Sequence, residues 1–507
     1  MKTVAKINPE KEYENAKRLI ALASSERIFN SDTTSSLDKS VDNLITATRV
    51  LIEREERRRG YRPSEPKITG KKGRNKGEER KEAKKLPSER YPNLEVLEEI
   101  VHPKVLPQCP CCRTEMKESG LFDTSEKLEV VPKRYYIQRQ LRPKYRCNRC
   151  HGGMLNTTSV PSIVPTSNYG DSVVIDAALS KYCDLIPFER YVQIAERGGL
   201  EDLPAQSLIG LSHHLANFLQ GVYEKIKQEV MASIVLQADE TPHRMLEGDD
   251  KKQWYLWGFF SSTSCFFEVH NTRSGDVVFQ VLKNSDAKFL VTDGFSGYGK
   301  AIKDVKEKLN KEIVEVHCNA HAYRYFEEAS VRWGEETKSF LENYGEIYSL
   351  ELKKKEIEKE LANEEASTIR AEQLKLRMKM MPYFEIIRED CTKQVETCMR
   401  SSALENAIKY FLNHYAGLTR CTENVDLPLD NNLSERELRA PVIGRKTWIG
   451  THSKRGALTG AVLFSIVHAC KLNKINPRNY FPWVVRQIHQ KKEILTPYEY
   501  SLLSLSG

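Results

Sequence analysis

The sequence contains no apolar run that approaches the ~20 residues needed by a membrane-spanning helix. Its start, MKTVAKINPEKEYENAKRLI, lacks the apolar core of a signal peptide. It also lacks a strong charge of one sign, because 78 Lys and Arg face 70 Asp and Glu. The resulting net charge of +8 is by itself weak evidence for an anionic partner. These absences argue against a membrane protein and predict a cytoplasmic one.

Length and composition indicate several folded domains. A chain of 507 residues corresponds to about three domains. With 40% hydrophobic and 29% charged residues, it should bury real cores under a charged surface. In a cytoplasmic protein the 12 cysteines are expected to be free thiols or metal ligands rather than disulfides.

The N-terminal part is predicted to contain helices followed by a linker. In residues 1–65, mostly apolar residues between Leu37 and Leu51 recur at alternating spacings of four and three. This pattern fits a short coiled coil and equally a small helical hairpin. Residues 66–95 are predicted to form a disordered basic linker, since the run 71–85 has eight bases, three acids and no apolar residue beyond Ala83.

Residues 96–160 are predicted to form a zinc ribbon. Two Cys-x2-Cys pairs flank a segment, 128–146, whose alternation predicts two strands. Four thiolates close a tetrahedral zinc site. The predicted ligands of one structural Zn²⁺ are Cys109, Cys112, Cys147 and Cys150. The gap between the pairs exceeds the usual ~15–20 residues, which requires a long hairpin. Its basic and aromatic side chains suit nucleic acid, although structural ribbons are often basic too.

Residues 161–230 are predicted to form a helical region, in which residues 170–230 are helical throughout. Two helix patterns flank the pair Gly198 and Gly199. This arrangement resembles a DNA-binding helix-turn-helix. Two packed helices with no DNA contact would give the same pattern.

Two predicted strands in residues 231–326 end in an acid. The apolar run SIVLQADETPHRM reaches Asp239, and KFLVTDGFSGYGK reaches Asp293. The order β-β-β-α-β-α-β predicts a mixed sheet with flanking helices, the RNase H-like order, in which the first and fourth strands are neighbours. Two adjacent carboxylates repel unless a cation shares them. Oxygen ligands and phosphate substrates suit Mg²⁺, so the pair indicates metal-dependent phosphoryl transfer. Each Asp taken alone could be a turn residue or a helix cap.

The predicted core is interrupted and then resumes. Residues 327–420 are charged and helical, which predicts an insertion, and residues 421–455 return to the core. A helix over Leu433–Ala440, capped by Asp430 and Asn431, would place a third acid, Glu435, in its first turn. Residues 456–507 are predicted to form a C-terminal helical region.

Basic residues surround this third acid. Arg436 and Arg439 are three apart and share one face of the predicted helix. Beyond a predicted turn at Gly444, Arg445 and Lys446 offer phosphate contacts and Trp448 a stacking plane. The alternative is a basic loop capped by a core tryptophan.

Several motifs, in this order, resemble the transposases of the insertion sequence 66 family. They are ADETP, TDGFSGY, CNAHAYRYF, LDNNLSERELRAPVIGRKTW and HACKLNKINPRNY, together with the upstream CPCC and PKYRCNRC. The resemblance covers about residues 90–490. It implies an RNase H-like fold and an acidic triad at Asp239, Asp293 and Glu435.

Cys318 and His321 match a Cys-x2-His signature of related transposases. They could bind a second metal, orient the Asp293 loop or simply pack in the core, and a structural or supporting role is favoured because two ligands are too few for zinc. Two departures from the family pattern stand nearby. Tyr323-Arg324 replaces Arg-Arg, and LRAPV replaces LRPV, which shifts Pro441 by one residue.

The resemblance implies a DNA transposase. The triad would use two Mg²⁺ or Mn²⁺ ions to cut the element ends at terminal inverted repeats and to join them to target DNA. A homodimer or higher oligomer on DNA, accessory proteins and nucleoid association in a bacterial cytoplasm are further expectations. The alternatives are a non-catalytic or domesticated DNA-binding protein and a stand-alone RNase H-like nuclease.

Overall fold

The computed structural model describes residues 86–92, 94–98, 100, 111, 113–115, 125–130, 133–146, 154–156, 158–247, 253–361 and 364–505. The predicted region 1–65, the basic run 71–85 and the four predicted zinc ligands lie outside these residues. The chain forms two compact units. One holds the described residues of Ser64–Arg139 together with Gly198–Leu200. The other holds those of Gln140–Arg197 and Glu201–Gly507.

The region between the predicted zinc knuckles contains less strand than its alternation predicts. Within 133–146 the structure has one short strand, β1 (Lys144–Arg146), which pairs antiparallel with β2 (Met154–Asn156). Ile137 is 95% exposed and Leu141 85% exposed. An alternating pattern forms a stable sheet only when its apolar face is covered, and these side chains are not covered. In the smaller unit, helix α1 (Pro87–Arg90) is held by Ser88, whose N–H and hydroxyl each donate to Glu126 at 2.8 Å.

A five-stranded mixed sheet forms the centre of the larger unit. Its strands are β3 (Val235–Arg244), β4 (Gln253–Phe260), β5 (Cys265–His270), β6 (Phe289–Thr292) and β7 (Val314–His317). The order is β5-β4-β3-β6-β7. The β3–β4 and β4–β5 pairs are antiparallel, and the β3–β6 and β6–β7 pairs are parallel. The predicted adjacency of the first and fourth strands, β3 and β6, is confirmed.

Helices account for most of the larger unit. They are α2 (Asp171–Tyr182), α3 (Phe188–Arg197), α4 (Ala205–Phe218), α5 (Gln220–Met231), α6 (Gly275–Lys283), α7 (Ser296–Leu309), α8 (Asn319–Ser330), α9 (Gly334–Glu360), α10 (Ala366–Met378), α11 (Met381–Val395), α12 (Ala403–Thr419), α13 (Asn432–Thr447), α14 (Lys454–Leu472), α15 (Pro477–His489) and α16 (Pro497–Leu505). Phe259 and Phe260 are both fully buried. Since neighbouring strand residues point to opposite faces, both faces of β4 are covered.

The described helices between β7 and α13 pack into a core of their own. α8, α9, α11 and α12 share a cluster in which Phe326, Tyr344, Phe384 and Phe411 are fully buried. α12 returns the chain to β7, which it contacts. α8 begins at Asn319, before the predicted start of the insertion, so this helix leads directly from the sheet into the helical core.

Helices that precede the sheet in the sequence pack against helices that follow it. The buried residues Leu208, Leu211 and Leu215 of α4 form an apolar face, and α4 contacts α2, α3 and α14. The prediction that α3 and α4 act as a helix-turn-helix on DNA stays a prediction. Among the described residues no single helix is long and apolar enough to cross a membrane; only the sharply bent pair α14 and α15 meets that test, by length and composition alone.

Candidate active site

Asp239 and Asp293 lie on the two central strands of the sheet. Asp239 lies two residues after Gln237, the last β3 residue that pairs with β6. β3 itself continues to Arg244, so Asp239 lies within the strand and not at the predicted strand end. The strand continues because β4 pairs with β3 as far as Arg244. Asp293 directly follows β6.

The structure places Asp293 and Glu435 close enough to Asp239 for their charges to act on it. Burial raises the pKa of Asp239 well above its usual value. The negative charges of Glu240, Asp293 and Glu435 raise it further, while the Glu240 N–H, which donates to Asp239 Oδ1 at 2.8 Å, lowers it. The two strand acids come from the sheet and Glu435 comes from α13, which packs against β3.

Helix α12 holds the turn that carries Asp293. The Asp293 carboxylate accepts the N–H of Phe295 at 2.9 Å. The Tyr410 hydroxyl donates to the Asp293 carbonyl oxygen at 2.8 Å. Gly294 has φ +85°, and a Cβ at this position would lie 2.9 Å from Nε2 of His414. Glycine is required here both by the left-handed backbone and by the close approach of α12.

Asn431 fixes the start of α13 next to Asp239. Its side-chain amide donates to the carbonyl of Ala238 at 3.3 Å, and its N–H donates to Sγ of Cys318 at 3.1 Å. Its carbonyl accepts the N–H of Glu435 at 3.2 Å. Asn431 is fully buried. The prediction that its side chain caps the helix is wrong, since no cap hydrogen bond forms and the amide binds β3 instead.

The Glu435 carboxylate contacts two residues of α8. Arg324 Nη2 lies 2.5 Å from Glu435 Oε1, and His321 Nε2 lies 3.6 Å from the same atom. Cys318 precedes α8 and is fully buried. Arg324 has no role in the sequence-based prediction. Residues spaced three apart lie on one side of a helix. The spacing of Arg324 from Cys318 and His321 could therefore have identified it as a site residue.

Glu240 is a further site residue, which was not predicted from the sequence. Its side chain is only 2% exposed and pairs with Arg273, whose Nη2 lies 2.6 Å from Glu240 Oε1. The hydroxyl of Tyr298 donates to its other oxygen. Arg273 also lies 4.0 Å from the ring centre of Phe295. Glu240 therefore adds negative charge beside Asp239 and ties that region to the Asp293 turn.

The α13 helix is longer than predicted. It runs through Pro441 and Gly444 to Thr447, so the predicted turn at Gly444 is wrong. A Cβ at Gly444 would collide with the ring of Trp448. Glycine is needed there for close packing and not for a turn. Further along the same helix, Glu437 is buried and paired with His468 of α14, with 2.6 Å between Oε2 and Nδ1.

The predicted DNA-contacting residues lie along α13 and just after it. Arg436, Arg439 and Lys446 are exposed, and Arg445 is half-buried. Trp448 packs against α2, with Lys181 Nζ 5.0 Å from its ring centre. Stacking of a base on Trp448 stays a prediction, limited to the part of the ring that Lys181 does not cover.

Comparison with known proteins gives two family matches. A model described as the IS66 transposase family matches residues 166–459. A model described as the zinc-finger binding domain of IS66 transposases matches residues 107–151. The second match spans all four cysteines of the predicted ribbon and confirms a zinc-finger domain there, while the individual zinc ligands stay a prediction.

The chain is also similar to proteins of Sinorhizobium fredii. The uncharacterized protein y4qI is 26% identical over 416 residues, which cover 78% of this chain and 73% of the relative. The uncharacterized protein y4hP is 25% identical over 399 residues, covering 75% and 70%.

Proposed function

Because the chain belongs to the IS66 family of transposases, we propose that it cuts and joins DNA strands through the carboxylates of Asp239, Asp293 and Glu435. The observation that carries this proposal is the position of half-buried Asp239 near Glu240, Asp293 and Glu435, where desolvation and their negative charges raise its pKa well above the usual value. Like charges that lie close together away from bulk water are unfavourable unless a cation shares them. Clusters of this kind are typical of functional sites.

The donor set fits a hard divalent cation. Carboxylate oxygens are the ligands that Mg²⁺ and Mn²⁺ prefer. Asp239, Asp293 and Glu435 would hold two such ions. When bound, these ions polarise the phosphate, lower the pKa of an attacking water and stabilise the leaving oxygen.

The protein's own residues act by positioning. Asn431 holds Glu435 beside β3, and Tyr410 holds the Asp293 turn. With the acids fixed, one site serves two in-line displacements at phosphorus. The first is hydrolysis that frees a 3′-OH at the element end, and the second is attack of that 3′-OH on a target phosphodiester. Both gain mainly from orientation and charge neutralisation, so no covalent protein nucleophile is required.

We also propose that the sheet is the core of an RNase H-like fold. The order β5-β4-β3-β6-β7, with its antiparallel and parallel halves, supports this assignment. The helices that follow α8 then form an insertion between the second and third acids.

DNA binding is proposed for two parts of the chain. The zinc-finger domain at 107–151 and the exposed bases Arg436, Arg439 and Lys446 support contacts to the terminal inverted repeats and to target DNA. Lys and Arg side chains neutralise phosphates without reading sequence. Recognition of the ends would fall to the zinc finger and the α3–α4 pair, and assembly of two ends requires a dimer or a higher oligomer.

Strand cleavage of a labelled element-end duplex in Mg²⁺ tests the proposal. Asp293→Asn and Glu435→Gln should each lower cleavage by at least ~10³-fold, with duplex affinity nearly unchanged. The matched control is Glu307→Gln, because Glu307 is an exposed acid on α7. Near-normal cleavage by either variant would remove that residue from the triad. A wild-type protein that binds the ends in Mg²⁺ or Mn²⁺ and never cuts them would favour the non-catalytic alternative.

A further inference from the structure

Cys318, His321 and Glu435 form a compact group of three different ligand types. One ligand atom from each side chain lies within 4.8 Å of the other two. Cys318 immediately precedes α8, His321 lies in the first turn of α8, and Glu435 comes from α13. The three side chains therefore meet where two helices begin, on the α8 side of the proposed catalytic acids.

His321 is short of hydrogen-bond partners. Its Nδ1 is buried and has no hydrogen-bond partner among the described residues. Its Nε2 lies 3.6 Å from Glu435 Oε1, which is too long for a hydrogen bond. Two ligands of one tetrahedral zinc ion lie roughly 3.3–3.6 Å apart for bonds of about 2.0–2.2 Å. The distance therefore fits two ligands of a shared ion better than a direct contact.

Burial raises the pKa of the Cys318 thiol to about 12, and this rise is opposed by the N–H groups that face the sulfur. The sulfur accepts the N–H of Asn431 at 3.1 Å and also a backbone hydrogen bond from His321. Donors aimed at a sulfur support metal-bound thiolates. The side chains of His321 and Glu435 are 25% and 22% exposed, so a cation can reach the buried sulfur from their side.

We propose that Cys318, His321 and Glu435 form a second cation site, selective for Zn²⁺ or a similar borderline-soft ion. A thiolate and an imidazole favour such ions over Mg²⁺. An ion held there would draw Glu435 away from Asp239 and Asp293. Occupancy would therefore inhibit Mg²⁺-dependent cleavage, and this consequence alone rests on the proposed function.

Arg324 competes for the same carboxylate. Its guanidinium lies 2.5 Å from Glu435 Oε1 and must leave before an ion can bind there. Removing this positive charge should tighten ion binding. Arg324→Gln is therefore expected to raise the affinity for a soft cation by about tenfold or more, whereas Arg324→Lys should not.

Cobalt absorption tests the site directly. Full-length protein with its ribbon loaded with zinc is titrated with Co²⁺, and thiolate-to-cobalt charge transfer and tetrahedral d–d bands are recorded. The wild type should develop both bands, and Cys318→Ser and His321→Gln should lose the second-site signal. Cys391→Ser is the matched control, since Cys391 is also a buried free thiol. His321→Gln, at a partly exposed position, guards against misfolding of the Cys318 variant.

Identical cobalt spectra in the wild type, Cys318→Ser and His321→Gln would overturn the site. The second arm measures cleavage in Mg²⁺ with and without added Zn²⁺. Zinc should lower wild-type cleavage at least tenfold, and His321→Gln should shift the inhibitory concentration upward at least tenfold. Cobalt binding without zinc inhibition would overturn the competition for Glu435. A protein that never cleaves would contradict the proposed function, while the cobalt spectra would still decide the site.

Discussion

Asp239 carries the largest electrostatic cost among the proposed catalytic residues. It is half-buried, and its desolvation together with the charges of Glu240, Asp293 and Glu435 disfavours its ionised form. In the unfolded chain its pKa returns to the usual range, so above that range the metal-free protein loses stability as pH rises towards the folded pKa. A divalent cation would remove this cost.

Asp239→Asn should therefore stabilise the metal-free protein at pH 7, because it removes a charge that the fold disfavours. Asparagine keeps the oxygen that accepts the Glu240 N–H and removes the charge. The same variant should lose most of the rise in melting temperature that Mg²⁺ gives the wild type. Thermal melts with and without Mg²⁺ measure both effects, with Glu307→Gln as the control. A variant that melts lower without metal and still responds fully to Mg²⁺ would contradict this account.

Lys181 is a second residue whose charge is unfavourable in the fold. Its ammonium lies 4.4 Å from the ring centre of Phe188 and 5.0 Å from that of Trp448. Burial lowers its pKa to about 8, and the charge of Glu189 opposes this shift. The lysine joins α2 and α3 to the segment that follows α13.

The free energy of unfolding should rise through the Lys181 titration. Between pH 8 and about 10.4 the unfolded chain keeps the Lys181 proton that the folded chain has lost, so stability increases with pH. Lys181→Met should remove about 1–3 kcal/mol of this rise and be more stable than the wild type at pH 7. Denaturant unfolding from pH 7 to 10 measures the slope, with Lys303→Met on the exposed face of α7 as the control. Equal slopes in the wild type and Lys181→Met would refute the prediction.

At the scale of elements, the docking of α13 on β3 decides where the third acid lies. The helix begins at a buried asparagine that bonds a strand carbonyl, a cysteine sulfur and the backbone of Glu435. The α12 helix does the same for the second acid through Tyr410. Each acid on a loop or helix end is thus held by a neighbouring element.

Asn431→Ala should cost about 1–3 kcal/mol of stability, because it leaves the Ala238 carbonyl buried without this donor. At a temperature where the variant is fully folded, cleavage should still be about 10–100-fold lower than in the wild type, since Glu435 loses its fixed position. Asn432→Ala is the matched control, because the neighbouring Asn432 is exposed. If cleavage falls only in proportion to the fraction of folded protein, Asn431 has a structural role and does not position Glu435.

At the scale of the whole molecule, the zinc-finger domain and the acidic site occupy separate stretches of the chain. The zinc-finger match ends at residue 151, and Asp239, the first acid of the proposed triad, lies 88 residues later at position 239. Small zinc domains gain much of their folding energy from the metal. A sheet whose aromatic side chains are fully buried, such as Phe259 and Phe266, does not need it.

Metal analysis of freshly reduced protein should find about one tightly held zinc per chain. Cys147→Ser should lower that content and weaken binding to element ends, and the rise in melting temperature with Mg²⁺ should persist. Cys183→Ser, which replaces a free cysteine, is the control. Two results would contradict separate roles for the two metals. One is a protein that contains no zinc, and the other is a Cys147→Ser variant whose melting temperature does not rise with Mg²⁺.

The sequence by itself determined the order of the strands along the chain and the adjacency of β3 and β6, and it predicted the three acids of the proposed site. Apolar runs and turn residues are local signals, and a right-handed connection between parallel strands leaves few alternatives. It also determined the family, because the residues around Asp239, Asp293 and Glu435 form dense motifs.

Only the tertiary structure decided how those acids are held. The Asn431 amide donates a hydrogen bond to β3, and Arg324 pairs with Glu435. Gly444 lies inside a helix and packs against Trp448. Each contact joins segments far apart in the chain or depends on shape at a packed surface. Such contacts follow from the docking of whole helices on the sheet, and periodicity within one segment carries no information about that docking.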